Sequence, residues 1–321
     1  MTRSEERAGL VFAALCAAAG ALVPAVAKLT TDRADPLFVA AATAWFAGAA
    51  AFVVLAVRGE LALFVHPRIG PRLLAVGALG TGAAFWLLFQ GAHRASAIET
   101  TLCLQSEPIY SLILAALALG ERPTARRVGS VVLVLGGIVL ALGARGAAPP
   151  SPGIWPLLAT PLCWQLSHLI VVRGLGGVPP SVLTGARYID GGIVLGVAWL
   201  AAGATTGMPA GGSAPVLSTL ALQGVIVSYV GTMLWYAAIT RLDLARTTAI
   251  VVPSIPLLSL VATFGLLGER PSGAQWAGML VAAGGVAGFV TAPHAVSTRP
   301  RVPIWSAPLA APRPRRRSSG R

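Results

Sequence analysis

Glu107 is the first residue in this chain whose setting suggests chemistry, because it is a carboxylate in the middle of an apolar run. It is the twelfth residue of a 24-residue stretch, 96–119, whose other faces are almost entirely Leu, Ile and Ala. A charged side chain at a bilayer centre costs about 2.5–3.5 kcal/mol by insertion scales, so it is kept where it meets a proton, a cationic group or a partner. With 100° per residue, Glu99, Thr100, Cys103, Ser106, Glu107, Tyr110 and Ser111 share an arc of about 140°. Such a stripe predicts a wet cavity or polar neighbours rather than lipid. Pro108 follows the acid directly. It has no N–H to donate and frees a carbonyl near residue 104, a further polar group at the same depth.

A second charged pair, Arg187 and Asp190, lies three residues apart in another apolar run and therefore on one helix face. One expectation is an ion pair within the helix. The other is that the planar fork of Arg187 meets a carboxylate or phosphate on a substrate. A third arrangement would pair Glu107 with Arg187 and hold two helices together. Aromatic and amide residues extend the polar set: Trp86, Gln90 and His93 recur at helical spacing, as do Tyr229, Thr232 and Tyr236 beside Trp235, and Trp164, Gln165 and His168 cluster. His168 reads either as a proton-relay group or as a packed neutral histidine. His93 reads as interfacial. The candidates for contact with a substrate or proton are therefore Glu107, Arg187, Tyr110, Ser106, Trp86, Gln90, His168, Tyr229, Trp235 and Tyr236.

Enzyme chemistry finds no such foothold. The four histidines show no metal-ligand spacing, and no nucleophile–base set or phosphate loop is present. Cys16, Cys103 and Cys163 sit in apolar runs as packing residues. No catalytic residue, metal or cofactor is expected.

The elements that must hold these residues follow from composition. The 321-residue chain is 55% hydrophobic and 11% charged, against roughly 25% charged in soluble domains. Breaks of charge, Gly and Pro divide it into ten spans, approximately 9–29, 36–57, 72–92, 96–119, 125–143, 153–173, 181–202, 215–240, 243–267 and 272–291. The expected fold class is an all-α integral membrane protein. Nine spans follow the first, so that one reads as an uncleaved helix rather than a signal peptide. Of the 24 Lys and Arg, 18 fall on the side shared by both termini and 5 on the other, which places the termini in the cytoplasm.

Self-similarity at an offset of 148 residues is the strongest pattern. Leu-Gly-Glu-Arg-Pro stands at 119–123 and again at 267–271, and Pro108 maps onto Pro256, Gly136-Gly137 onto Gly284-Gly285. The expected organisation is a five-helix unit at 1–145, a linker at 146–152, a second unit at 153–291 and a tail at 292–321. Five spans per unit invert the second copy in the membrane, the usual plan of secondary transporters. Glu121 and Glu269 are expected to accept from backbone N–H groups at their turns, with Pro123 and Pro271 starting the next helix. Gly136 and Gly284 are expected to permit close helix approach. The acid of the first copy has no partner in the second, where Ile255 stands opposite Glu107.

These motifs resemble the drug/metabolite transporter superfamily, specifically its EamA-type ten-helix carriers. The resemblance covers residues 9–291 and rests on Glu107-Pro108, both Gly-Glu-Arg-Pro turns, the paired glycines and Lys28 at the end of the first span. It implies a central cavity lined mainly by the first, third, fourth, sixth, eighth and ninth spans. It also implies export of small metabolites, amino acids or related compounds first among them, across a bacterial cytoplasmic membrane. An uncoupled facilitator or a permease of another substrate class shares every feature. A membrane scaffold would not need the polar stripe. Residues 291–321 hold seven arginines and no acid, which suits contact with anionic lipid headgroups rather than nucleic acid. The partners expected are thus a small-molecule substrate and membrane lipid.

Overall fold

A computed structural model describes residues 3–143, 151–203, 213–242 and 244–292. The expected linker, apart from residues 151 and 152, and the basic tail beyond residue 292 lie outside the described residues.

Among the described residues, thirteen of fourteen helices and two π-helical segments build the ten spans, and the four-residue α3 lies between the second and third. The first repeat contains α1 (Arg3–Thr31), α2 (Pro36–Arg58), a short α3 (Leu61–Phe64), α4 (Gly70–Gly77), a π segment (Ala78–Ala83), α5 (Ala84–Arg94), α6 (Ala97–Leu104), α7 (Glu107–Leu119) and α8 (Ala125–Gly143). The second contains α9 (Ile154–Gly174), α10 (Pro180–Ala201), α11 (Ser213–Leu222), a π segment (Gln223–Val230), α12 (Gly231–Leu242), α13 (Leu244–Leu267) and α14 (Gly273–Val290). The third span is α4–π–α5, the fourth α6–α7 and the eighth α11–π–α12. Among the described residues, nine of the spans are long and apolar enough to cross a bilayer by length and composition. The remaining one, α10, has 22 residues but carries Arg187 and Asp190, which lower its mean hydropathy.

Local sequence explains where the helices begin and end. Asp35 caps α2 by accepting from the N–H groups of Leu37 and Phe38 at 2.8 and 3.2 Å, ahead of Pro36 at the first turn. Ser96 with Glu99, and Ser272 with Gln275, form reciprocal capping boxes at α6 and α14. In the two identical pentapeptides, Gly120 and Gly268 adopt φ of 67° and 68°. That left-handed conformation ends the helix before each Glu-Arg-Pro and favours glycine at both turns.

Repeat-equivalent helices pack on one another, as a two-fold relation requires: α2 lies on α10, and α8 on α14. The contact residues exchange roles. A Cβ added at Gly137 would meet the Gly278 carbonyl at 2.5 Å, and one at Gly285 would meet the Ser130 carbonyl at 2.7 Å. Gly285 is the counterpart of Gly137, and Gly278 that of Ser130. Gly136 and Gly284, expected at this contact, face open space instead. Consecutive residues on a helix are about 100° apart, so only one glycine of each pair points at the neighbour. The α2–α10 seam is similarly close, with Gly48 beneath the Tyr188 carbonyl and Trp45 Nε1 donating to the Gly192 carbonyl at 2.9 Å. Large apolar side chains such as Val57, Leu117, Val139 and Phe264 cover the outside, as a lipid-facing surface demands.

Candidate functional site

The fourth span is not one helix. α6 stops at Leu104 and α7 starts at Glu107, with Gln105 and Ser106 forming a tight turn between them. Backbone bonds from Gln105 to Leu102, Ser106 to Cys103 and Ile109 to Ser106, at 3.0–3.1 Å, replace the regular ladder. Pro108 is the cause, since it cannot donate to the carbonyl one turn back and crowds it. The uninterrupted span expected from the sequence is thus a discontinuous helix, and Glu107 occupies the first turn of its second half. The positive end of a helix dipole accompanies that carboxylate at mid-span.

α9 supplies its neighbour. Gln165, one turn after Pro161, donates from Nε2 to Glu107 Oε1 at 2.7 Å. Glu107 and Gln165 are each half-buried, whereas the His168 side chain is exposed although it sits deep among protein atoms. Ser167, on the same helix, is buried and donates to the Val76 carbonyl at 3.1 Å.

Arg187 faces this cluster from α10. Its Nη2 donates to the Gly80 carbonyl at 3.3 Å, and its charge acts on both Glu107 and His168. Nε of Arg187 is buried without a hydrogen-bond partner. The ion pair expected with Asp190 does not form, and no ion pair joins Arg187 to Glu107 among the described residues. The guanidinium has turned instead towards the π segment of the third span. Tyr188, the next residue, turns the other way. Its hydroxyl donates to the Ser228 carbonyl at 3.1 Å and lies 3.2 Å from Thr232 Oγ1, at the π segment of the eighth span. A single turn of α10 therefore bridges both π segments, a type of helix distortion common at functional sites.

The other sequence candidates divide by position. Ser106 is buried and Tyr110 half-buried on the broken helix that carries Glu107. Gln90 is half-buried on α5, whereas Trp86 is 46% exposed. Tyr229 is buried in the core that includes Phe85 and Phe89. Trp235 packs at the α1–α12 contact near Ala13 and Cys16, and Tyr236 is half-buried. His93 ties the C-terminal ends of the first and third spans through the Thr31 carbonyl, 2.8 Å from Nδ1. In the second copy α13 runs unbroken through Pro253 and Pro256, and Ile255 packs against Gly20.

The two motif glutamates differ in their partners. Glu121 pairs with Arg127 at 3.8 Å. Glu269 accepts from the N–H groups of Ala97 and Ile98 at 3.2 and 3.3 Å, so it caps α6 of the opposite repeat. The groups expected at its own turn are not its partners, because Ser272 and Gln275 already cap α14.

Tyr188, Ser167 and the π segments escaped the sequence reading. Only the glycines in Ala-Leu-Gly-Thr-Gly-Ala hint at the first of those segments.

Comparison with known proteins agrees with this architecture. Residues 7–143 and 151–291 each match the profile of the EamA-like transporter family. A protein of Streptantibioticus cattleyicolor named "Probable terminal-alkyne amino-acid exporter" is 31% identical over 211 residues, 63% of this chain. The match spans 66% of that relative, just under two thirds of its length. An uncharacterised protein of Pseudomonas aeruginosa is 27% identical over 239 residues, covering 73% of this chain and 80% of that one. A solved crystal structure superposes with a TM-score of 0.61 at 21% identity, over 90% of this chain and 96% of its own, and shows the fold.

Proposed function

The chain belongs to the EamA-like transporter family, a multi-pass membrane carrier and not an enzyme, and from that premise we infer that it exports small amino-acid-like metabolites by alternating access. The observation that carries this reading is the carboxylate of Glu107 at a mid-span helix break, hydrogen-bonded across the repeat boundary to Gln165. Discontinuous helices with a charged group at mid-depth are how carriers present both polar backbone and a side chain to a substrate. Glu107 takes a proton or the substrate's ammonium group. Arg187, with a donor still free, takes the anionic end.

The relative from Streptantibioticus supports an amino acid as the cargo. The distribution of Lys and Arg supports cytoplasmic termini in a bacterial inner membrane, with the arginine-rich tail against anionic headgroups. Residues 1–145 and 153–291 are read as the two moving units, joined by 146–152. Proteoliposomes loaded with propargylglycine, a terminal-alkyne amino acid, test the reading. Efflux above that of protein-free vesicles, lost in Glu107→Gln, is expected. Equal leakage from all three preparations would contradict it.

A further inference from the structure

Asp190 is a buried acid that the site described above does not use. It is 9% exposed and makes no hydrogen bond or ion pair among the described residues. Its Cβ stands against α4, where a Cβ on Gly77 would come within 2.5 Å of it. Next to it, Gly191 abuts Thr81, whose fully buried hydroxyl also has no partner. Three residues earlier on the same helix, Arg187 has a buried Nε with no partner and has turned away to the Gly80 carbonyl.

Two opposite charges spaced to pair, each short of partners, should collapse onto one another in a medium of low dielectric constant. They have not. An unpaired carboxylate does not persist in such a place, whereas the neutral acid does. The charged groups around it offer no other neutraliser. The elements packed on α10 are α2, α3, α4 and the first π segment. Of these α2 brings only Arg58 and α4 only Arg72, both in terminal turns, while α3 and the π segment bring none. Glu60 is occupied with the Ser181 hydroxyl at the start of α10. His168 and Glu107 are within reach of the Arg187 charge.

We propose that Asp190 is a proton site that alternates with the substrate's anionic group as the partner of Arg187. With a carboxylate on Arg187, Asp190 holds its proton. When the carboxylate leaves, Asp190 releases that proton to water on the same side and takes Arg187 as its counter-ion, so the empty carrier returns with the arginine neutralised. On the loading side Asp190 takes a proton up from water again before the next carboxylate arrives, which frees Arg187, and the unpaired geometry described matches that step. The cargo class that follows is a small molecule with a single carboxylate or comparable anionic group. Glu107 takes up its own proton on the return leg, so for a zwitterion the two proton movements are opposite. The proposal rests on the transport reading.

Infrared difference spectroscopy of the full chain in lipid nanodiscs, between neutral and mildly acidic pH, tests the site without any substrate. A protonated-carboxyl band that gains intensity on acidification in the intact protein and in Glu107→Gln, and is lost from Glu107→Gln when Asp190→Asn is added, is expected. No such band in the intact protein, or a band unchanged by Asp190→Asn, overturns the proposal. Transport supplies a second readout with propargylglycine in proteoliposomes. Asp190→Asn should keep exchange of internal for external amino acid, which never requires an empty return. Its net efflux should fall on the order of a hundredfold, the kinetic equivalent of moving one unpaired arginine through a bilayer core. Equal loss of exchange and net efflux counts against the proposal. If the intact protein moves no propargylglycine in either mode, the transport reading fails for that compound, and the infrared band still decides Asp190.

Discussion

Gln165 Nε2 donates to Glu107 Oε1 across 2.7 Å, joining the sixth span of the second repeat to the broken fourth span of the first. This contact fixes the carboxylate at the start of a half-helix. It also ties the two repeats at the depth where a carrier must open and close.

Removing the charge while keeping the shape should abolish transport and spare the fold. Glu107→Gln retains an amide oxygen for Gln165, so thermal stability in detergent should stay near that of the intact chain. A hydrogen bond to a charged group contributes about 1.5–3 kcal/mol, so affinity for an amine-bearing substrate should fall roughly 10- to 100-fold. Binding titration beside a melting curve separates the two effects.

Gln165→Leu leaves Glu107 without its donor. The expected cost in stability is about 1 kcal/mol, the usual net worth of one hydrogen bond, with loss of transport larger than loss of folded protein. Equal losses would assign Gln165 to packing alone.

The glycines of the α8–α14 seam should respond unequally. Gly137→Leu places side-chain atoms where the α14 backbone already lies, 2.5 Å from the Gly278 carbonyl. It should destabilise by about 1–3 kcal/mol, the usual range for overpacking. Gly136→Leu meets nothing within 4 Å and should fold as well as the intact chain. Melting temperatures of the two variants in one detergent provide the comparison.

Glu269 reaches across the repeats to cap α6, so Glu269→Ala should cost about 0.5–2 kcal/mol, as loss of a helix cap does. The loss should appear as faster hydrogen exchange at Ala97 and Ile98, far away in sequence. Protection lost only around residues 268–275 would indicate a local role instead.

Much of this architecture is legible in the residues. The ten spans follow from apolar runs, and the inverted halves from an odd number of helices between two copies of Leu-Gly-Glu-Arg-Pro. The depth of Glu107 follows from its place in its run. What the pattern does not carry is rotation and reach. Hydropathy cannot say which of Gly136 and Gly137 faces α14, since adjacent residues differ by a turn angle and not by composition. Nor can it show that Glu269 bonds 172 residues away. The break after Leu104 has a sequence cause in Pro108, yet Pro253 and Pro256 leave α13 whole. Proline supplies the weakness, and tertiary packing decides whether the helix opens.

Glu107 is proposed as the point where this carrier meets its cargo. Untargeted metabolite profiling of medium and cell extract tests it most directly, comparing cells that overproduce the intact chain with cells that overproduce Glu107→Gln at equal membrane abundance. A small set of amine- and carboxylate-bearing compounds enriched in the medium only with the intact chain is the predicted result. The same enrichment with both proteins would contradict it.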